Sequence, residues 1–178
     1  MFIRIFIRTG TAIAAICLFA SSGFAQTAAK PTDPQIAHIA YTADQIDIQA
    51  GQLALKKSKN KDVRAFASDM VRDHTAVNQK ALALVKKLNV KPEDNPTSQQ
   101  LSKQASDKRA ELSKLTGAAF DKAYIDNEVA YHESVINAVT NTLIPNTKNA
   151  ELKKLLQSAG PIFNSHLTHA KELQSSVQ

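Results

Sequence analysis

The stretch VRAFASDMVRDHTAVNQKALALVKKL, residues 63–88, decides the fold of this chain. Its apolar residues recur every three or four positions, which is the spacing that places them on one face of an α-helix. His74 interrupts that face near the middle of the stretch. Because an unpaired polar side chain is costly in an apolar core, His74 indicates either a buried hydrogen bond or a ligand site.

The same helical spacing marks the segments on either side of this stretch. It covers residues 36–58, 117–145 and 152–173, with Gly160-Pro161 predicting a kink or restart in the last of these. A thinner apolar edge after Pro96 predicts a shorter, more exposed helix. No alternating strand pattern occurs, so we predict an all-α fold, a ferritin-like antiparallel four-helix bundle with an additional short helix.

The first residues have the pattern of an export signal. Two arginines precede an apolar run over residues 12–20, and Gly23-Phe24-Ala25 then offers small residues at the positions that a signal peptidase reads. The run of roughly 9 residues is shorter than the ~20 that span a bilayer as a helix, which favours cleavage over a retained anchor. The single cysteine, Cys17, follows Ile16 rather than a small residue, which argues against lipidation.

Cleavage after Ala25 would divide the chain into a signal peptide (1–25), a flexible leader (26–34) and a helical bundle domain (35–176). A mature chain of about 150 residues suits one domain. It would contain no thiol and therefore no disulfide. We expect a periplasmic or secreted protein without a stable transmembrane anchor.

The net charge of +6 could suggest a nucleic-acid partner. However, the lysines alternate with acidic residues, and no basic cluster is interleaved with aromatic residues. We therefore predict no nucleic-acid binding and interpret the lysines as a solvated surface. The sequence contains no signal for a protein partner or for self-association.

Further polar residues interrupt the apolar faces of the other long helices, each near the middle of its helix. Mid-helix positions of an antiparallel bundle converge whichever way each helix runs, so these residues should meet. Glu128 and His132 are also four residues apart, on one face of one helix. The predicted metal ligands are Asp47, His74, Glu128, His132 and His166.

Imidazole and carboxylate ligands together suit iron, zinc, copper or manganese. Asp73 would be a further ligand or would orient one. His169, three residues from His166, is less well placed, and His38 lies off the apolar face and should be exposed. The alternative interpretation is that the buried histidines and acids only hydrogen-bond to one another and fix the helix register.

Several motifs resemble a bacterial family called domain of unknown function 4142. They are MVRDH at 70–74, GAAFDKAY at 117–124, the segment from Glu128 to His132, and a late helix bearing His166. The resemblance extends over roughly residues 33–173. It implies an exported, ferritin-like four-helix protein with no assigned reaction.

The chain departs from the usual ferritin-like di-iron pattern, in which Glu-x-x-His occurs on two helices. Glu128 precedes His132 by four residues, Met70 stands four before His74, and helix one offers Asp47 in place of a glutamate. Ferroxidase chemistry is therefore not predicted, and whether the protein is an enzyme stays open. Two functions remain: transition-metal binding for metal handling or redox chemistry, or a non-catalytic structural or interaction role in the cell envelope.

Overall fold

The computed structural model describes residues 30–177, and it contains helices joined by short connections. No strand occurs in this range, which confirms the predicted all-α fold with four long helices and a shorter one. The elements are α1 (Asp33–Lys57), α2 (Lys61–Lys87), α3 (Pro96–Ser113), α4 (Gly117–Ala138), a π-helical turn (Val139–Leu143), α5 (Ile144–Asn146) and α6 (Ala150–Ser176).

The four long helices form an antiparallel bundle in which α1 packs against α2 and α4, and α6 packs against the same two helices. The shorter helix α3 runs along the bundle from one end to the other and thereby connects α2 to α4. At one end Glu93 donates its backbone N–H to Pro34 (3.1 Å), and at the other Lys57 donates to the Ser113 carbonyl (2.7 Å). As a result α2 and α4 run in the same direction and lie on one diagonal of the bundle.

Helix α1 begins at Asp33, inside the segment predicted as a flexible leader, so the helical domain starts before residue 35. The reason is a reciprocal cap that the prediction overlooked. Thr32 accepts a hydrogen bond from the Gln35 N–H, while the Gln35 side chain accepts from the Thr32 N–H. The Asp33 carboxylate also accepts from the backbone N–H groups of Lys148 and Asn149, both at 2.8 Å, which ties α1 to the start of α6.

Helix α6 is continuous through Pro161, so of the predicted kink or restart at Gly160-Pro161 the restart is wrong and the kink stays a prediction. The helix before it ends at Asn146, close to the predicted end, but only after a π-helical turn. The Thr147 hydroxyl donates to the Leu143 carbonyl (2.7 Å) and closes that end. Turns of π-helix often lie close to functional sites.

The core consists of two apolar clusters. One lies towards the end of α1 and includes Ala54, Phe66 and Phe120, and the other lies towards its start and includes Ile36 and Phe163. Buried polar residues occupy the level between the two clusters. Water is therefore excluded from this level at both ends of the bundle.

The predicted signal peptide and residues 26–29 of the leader lie outside the described residues. Between residues 30 and 177, none of the helices is long and apolar enough to cross a bilayer.

Candidate metal centre

The five predicted ligands lie together in the polar level of the bundle. Each has 6% or less of its surface exposed, and they come from all four long helices. Helix α1 contributes Asp47, α2 contributes His74, α4 contributes Glu128 and His132, and α6 contributes His166. These positions are buried because each polar residue occupies a place in the apolar face of its helix, which packs towards the core.

The three imidazole rings face one another. Their ring centroids are 5.8 Å apart for His74 and His132, 5.2 Å for His74 and His166, and 5.6 Å for His132 and His166. The Phe163 ring stacks on the His74 ring at 5.5 Å and covers its outer face. The rings therefore form a compact triangle at the centre of the bundle.

One nitrogen of each ring is held by the protein. His132 donates from Nδ1 to the Glu128 carbonyl (2.9 Å), and His74 Nδ1 lies 2.7 Å from Asp44 Oδ1. His166 Nε2 lies 3.0 Å from Asp73 Oδ2. The second nitrogen of each ring, Nε2 of the first two and Nδ1 of His166, is buried without a hydrogen-bond partner. Metal-binding histidines are typically oriented in this way, with one nitrogen hydrogen-bonded and the other free.

Ligand atoms from these residues come within reach of a common ion. One atom from each of His74, His132 and His166 lies within 4.8 Å of the other two. The same separation holds for Asp47, Glu128 and His132. Because His132 belongs to both groups, the two groups form one continuous centre, in which Asp47 Oδ2 lies 3.5 Å from His74 Nε2.

Burial keeps the imidazoles neutral. Removal from water lowers the pKa of His74 to about 4 and that of His132 to about 3, and it also lowers the pKa of His166. The contact with Asp73 opposes the shift at His166. At neutral pH the three rings therefore have the protonation state that a metal ligand needs.

The carboxyl groups in the same level shift in the opposite direction. Burial raises the pKa of Asp44 and that of Glu128 to about 8, and it raises the pKa of Asp47 as well, assisted by repulsion from Glu128. Without a cation Asp44 and Glu128 hold protons at neutral pH. A bound divalent ion would favour their ionised forms, so ion binding and proton loss are coupled here.

Two tyrosines border the centre. The Tyr124 hydroxyl is buried without a partner, and Tyr131 donates to the Ala43 carbonyl (3.2 Å). Burial raises the pKa of both phenols, so both remain protonated. Phe120 stacks on Tyr124 at 6.1 Å, in line with the core role of these aromatics.

Sequence reasoning missed Asp44, the residue that holds His74. Its spacing of three from Asp47 was the available signal, since that spacing puts both acids on one face of α1. Asp73 Oδ2 lies 3.0 Å from His166 Nε2, a contact that suits the orienting role predicted as one of its two alternatives.

Two histidines lie outside the centre. His38 was expected to be exposed, but this is wrong: its side chain is 29% exposed and Nδ1 lies 2.9 Å from the Ser98 hydroxyl, because α3 covers it. His169 packs edge-on against Phe66, with ring centroids 5.3 Å apart.

Comparison with known proteins adds a family and a fold. No curated protein matches the chain. Among solved structures, one titled "CopM in the Cu(II)-bound form" is similar, with a TM-score of 0.62 and 17% sequence identity, over 83% of this chain and 100% of that chain. At this identity the likeness concerns the helical fold. The family model described as Domain of unknown function (DUF4142) matches residues 19–173, so the chain belongs to that family, as the sequence motifs predicted.

Proposed function

We propose that this protein binds a transition-metal ion inside the helical bundle, through His74, His132 and His166 together with the carboxylates of Asp47 and Glu128. The observation that supports the proposal most directly is the pairing of roles on each ring. One nitrogen is oriented by a carboxylate or carbonyl, and the other is buried and free.

The alternative, a purely structural hydrogen-bond network, predicts that the buried polar atoms satisfy one another. They do not do so. Nine buried side-chain polar atoms between residues 30 and 177 lack a hydrogen-bond partner, and six of them belong to the five proposed ligands. Such a concentration of costly atoms at one point favours an ion over a network.

The separation of the ligand atoms is compatible with an ion after a small movement. Three nitrogens bound at about 2.1 Å with tetrahedral angles lie about 3.4 Å from one another. The upper limit here is 4.8 Å, so the rings would have to approach by no more than about 1.4 Å. Side-chain rotation within the polar level can provide this without moving the helices.

The donor set limits the identity of the ion. Three neutral imidazoles with two carboxylates suit copper(II), zinc, iron or manganese, and the two carboxylate charges balance a divalent ion. Copper(II) is the first metal to test, because it binds nitrogen-rich sites most strongly among the divalent first-row ions and because the similar CopM structure is titled as Cu(II)-bound.

The closed surroundings favour metal handling over turnover of a substrate. Four of the five ligands are at most 2% exposed, and apolar clusters close the site at both ends. Catalytic metal sites keep a position open to substrate, whereas closed sites hold their ion. Storage or transfer of the ion, in the exported compartment that the signal predicts, is the function we infer.

The test is metal binding by the untagged protein, compared with a His132→Gln variant and a matched His38→Gln control. At a Cu²⁺ concentration about 100-fold above the Kd, binding contributes about 2.7 kcal/mol, which for this size raises the melting temperature by roughly 5–10 °C. We expect this shift in the wild type and in His38→Gln, and its loss in His132→Gln. Absence of stoichiometric binding by copper, zinc, iron and manganese would reject the proposal.

A further inference from the structure

A buried centre needs a route through which its ion enters and leaves. Among the five proposed ligands His166 is the most exposed, at 6%, whereas the other four lie between 1% and 2%. An ion that approaches from solvent therefore meets His166 first, on the side where α6 packs against α2.

An open depression of about 340 Å³ leads to His166 on this side. We call it the mouth, and its polar lining consists of Asp69, Arg72, Asp73, Ser165, His166 and His169. Four other cavities between residues 30 and 177 are not lined by any proposed ligand.

A single cation, Arg72, holds the acidic groups of the mouth. It donates from Nε to Asp73 Oδ1 (2.8 Å), from Nη2 to Asp73 Oδ2 (3.0 Å), and from Nη1 to Asp69. Asp73 in turn holds His166. The chain of contacts from solvent to the centre is therefore Arg72, Asp73, His166.

We infer that Arg72 is an electrostatic latch on a metal-exchange route that runs through the mouth to His166. This inference rests on the proposed function, because it describes how the ion of that centre exchanges. In the latched form the guanidinium repels an incoming cation and occupies both carboxylates. When the guanidinium swings away, Asp69 and Asp73 attract the cation instead. The cation then passes the His166 ring, whose Nε2 contacts Asp73 and whose buried Nδ1 is free to bind it.

The latch is able to move at little cost. The Arg72 side chain is 65% exposed, and ion pairs of such exposed side chains contribute little to stability because water screens them. Solvent can therefore replace these contacts repeatedly without unfolding α2. The buried ligands do not have to separate for the latch to open.

The first test is an Arg72→Ala variant, with Lys103→Ala as the matched control. Lys103 is also exposed and paired with an acid, but it lies on α3, away from the mouth. A unit charge acting on a divalent ion at about 8 Å in water changes the encounter rate roughly fivefold. In stopped-flow absorbance with Cu²⁺ at ~10 mM ionic strength, Arg72→Ala should bind about fivefold faster, and the gain should largely disappear at ~1 M salt.

Release into excess chelator separates a latch from a distant charge effect. Removal of a latch accelerates release as well as binding, because both use one route. Removal of a cation that merely repels the bound ion would slow release instead. Slower or unchanged release in Arg72→Ala overturns the inference.

The second test closes the mouth without touching the latch. Ser165 is exposed within the mouth, so Ser165→Trp should fold and should slow both binding and release at an unchanged Kd. Ser158→Trp, exposed on the same helix but outside the mouth, is the control. Equal rates in the two variants overturn the inference, while a wild-type protein that binds no metal overturns the proposed function itself.

Discussion

The metal-free protein should lose stability as the pH rises above about 6.5, opposite to the usual behaviour of proteins stabilised by ionised acids. Asp44 and Glu128 have ordinary pKa values of 3.8 and 4.5, which burial raises to about 8 in the folded state. At pH 6.5 the folded state therefore holds two protons that the unfolded state has released, and it loses about half of this difference by pH 8. Stability falls with rising pH wherever the folded state binds more protons.

The size of this effect follows from the number of protons. Each fully held proton contributes about 1.4 kcal/mol per pH unit. Because both groups are half ionised by about pH 8, the free energy of unfolding should fall by about 3 kcal/mol between pH 6.5 and 8. For a domain of this size the melting temperature should fall by roughly 10 °C. Below pH 6.5 the depressed pKa values of His74 and His132 act in the opposite direction, because the unfolded histidines take up protons first, so the curve should flatten between about pH 5 and 6.5.

The measurement is thermal unfolding of the metal-free protein by circular dichroism across this pH range. Glu128→Gln removes one of the two protons and should halve the slope above pH 6.5. Asp126→Asn changes an acid on the same helix that is exposed and paired with Lys122, so it should leave the slope intact. A melting temperature that is flat or rises from pH 6.5 to 8 in the wild type would refute the reasoning.

Two further predictions follow from the same geometry. Titration calorimetry of Cu²⁺ binding at pH 7, in two non-coordinating buffers of different ionisation enthalpy, should show release of at least one proton per ion. In Glu128→Gln the number of protons released should fall by about one. A binding enthalpy that does not depend on the buffer would contradict the raised carboxyl pKa values. Gly51→Ala should lower the melting temperature, because the new Cβ would lie 2.9 Å from the Ala67 carbonyl oxygen and would push α1 away from α2. This loss should outweigh the intrinsic helix preference of alanine over glycine, which is about 1 kcal/mol. A more stable Gly51→Ala variant would show that this helix contact is not close.

The sequence predicted the helices and the level of the centre for a simple physical reason. Apolar residues at helical spacing determine which face of each helix is buried, and polar interruptions at mid-helix necessarily lie at similar depths in an antiparallel bundle. His74, His132 and His166 each lie in the apolar face of a helix, so the sequence predicted their burial although it did not predict their hydrogen-bond partners.

The partners depend on rotations that periodicity does not determine. Either Asp44 or Asp47 can face α2, and the choice depends on how α1 is rotated where it approaches α2 most closely, at Gly51. In the structure Asp44 binds His74 Nδ1, and Asp47 lies closer to the free nitrogen. The crossing by α3 was likewise not predictable, because a thin apolar edge fits several positions on the outside of the bundle.

The two antiparallel hairpins that α3 joins have a consequence for when the proposed metal site can form. The hairpin of α1 and α2 supplies Asp47 and His74, and that of α4 and α6 supplies the remaining three ligands. Neither half of the polypeptide contains the complete proposed donor set, so under the proposed function the full site forms only after α6 has docked. A chain that crosses a membrane before it folds would therefore bind metal only in the compartment that it reaches. The ion found in the protein would then depend on which metals are available in that compartment, and not on those of the cytoplasm where the chain was synthesised.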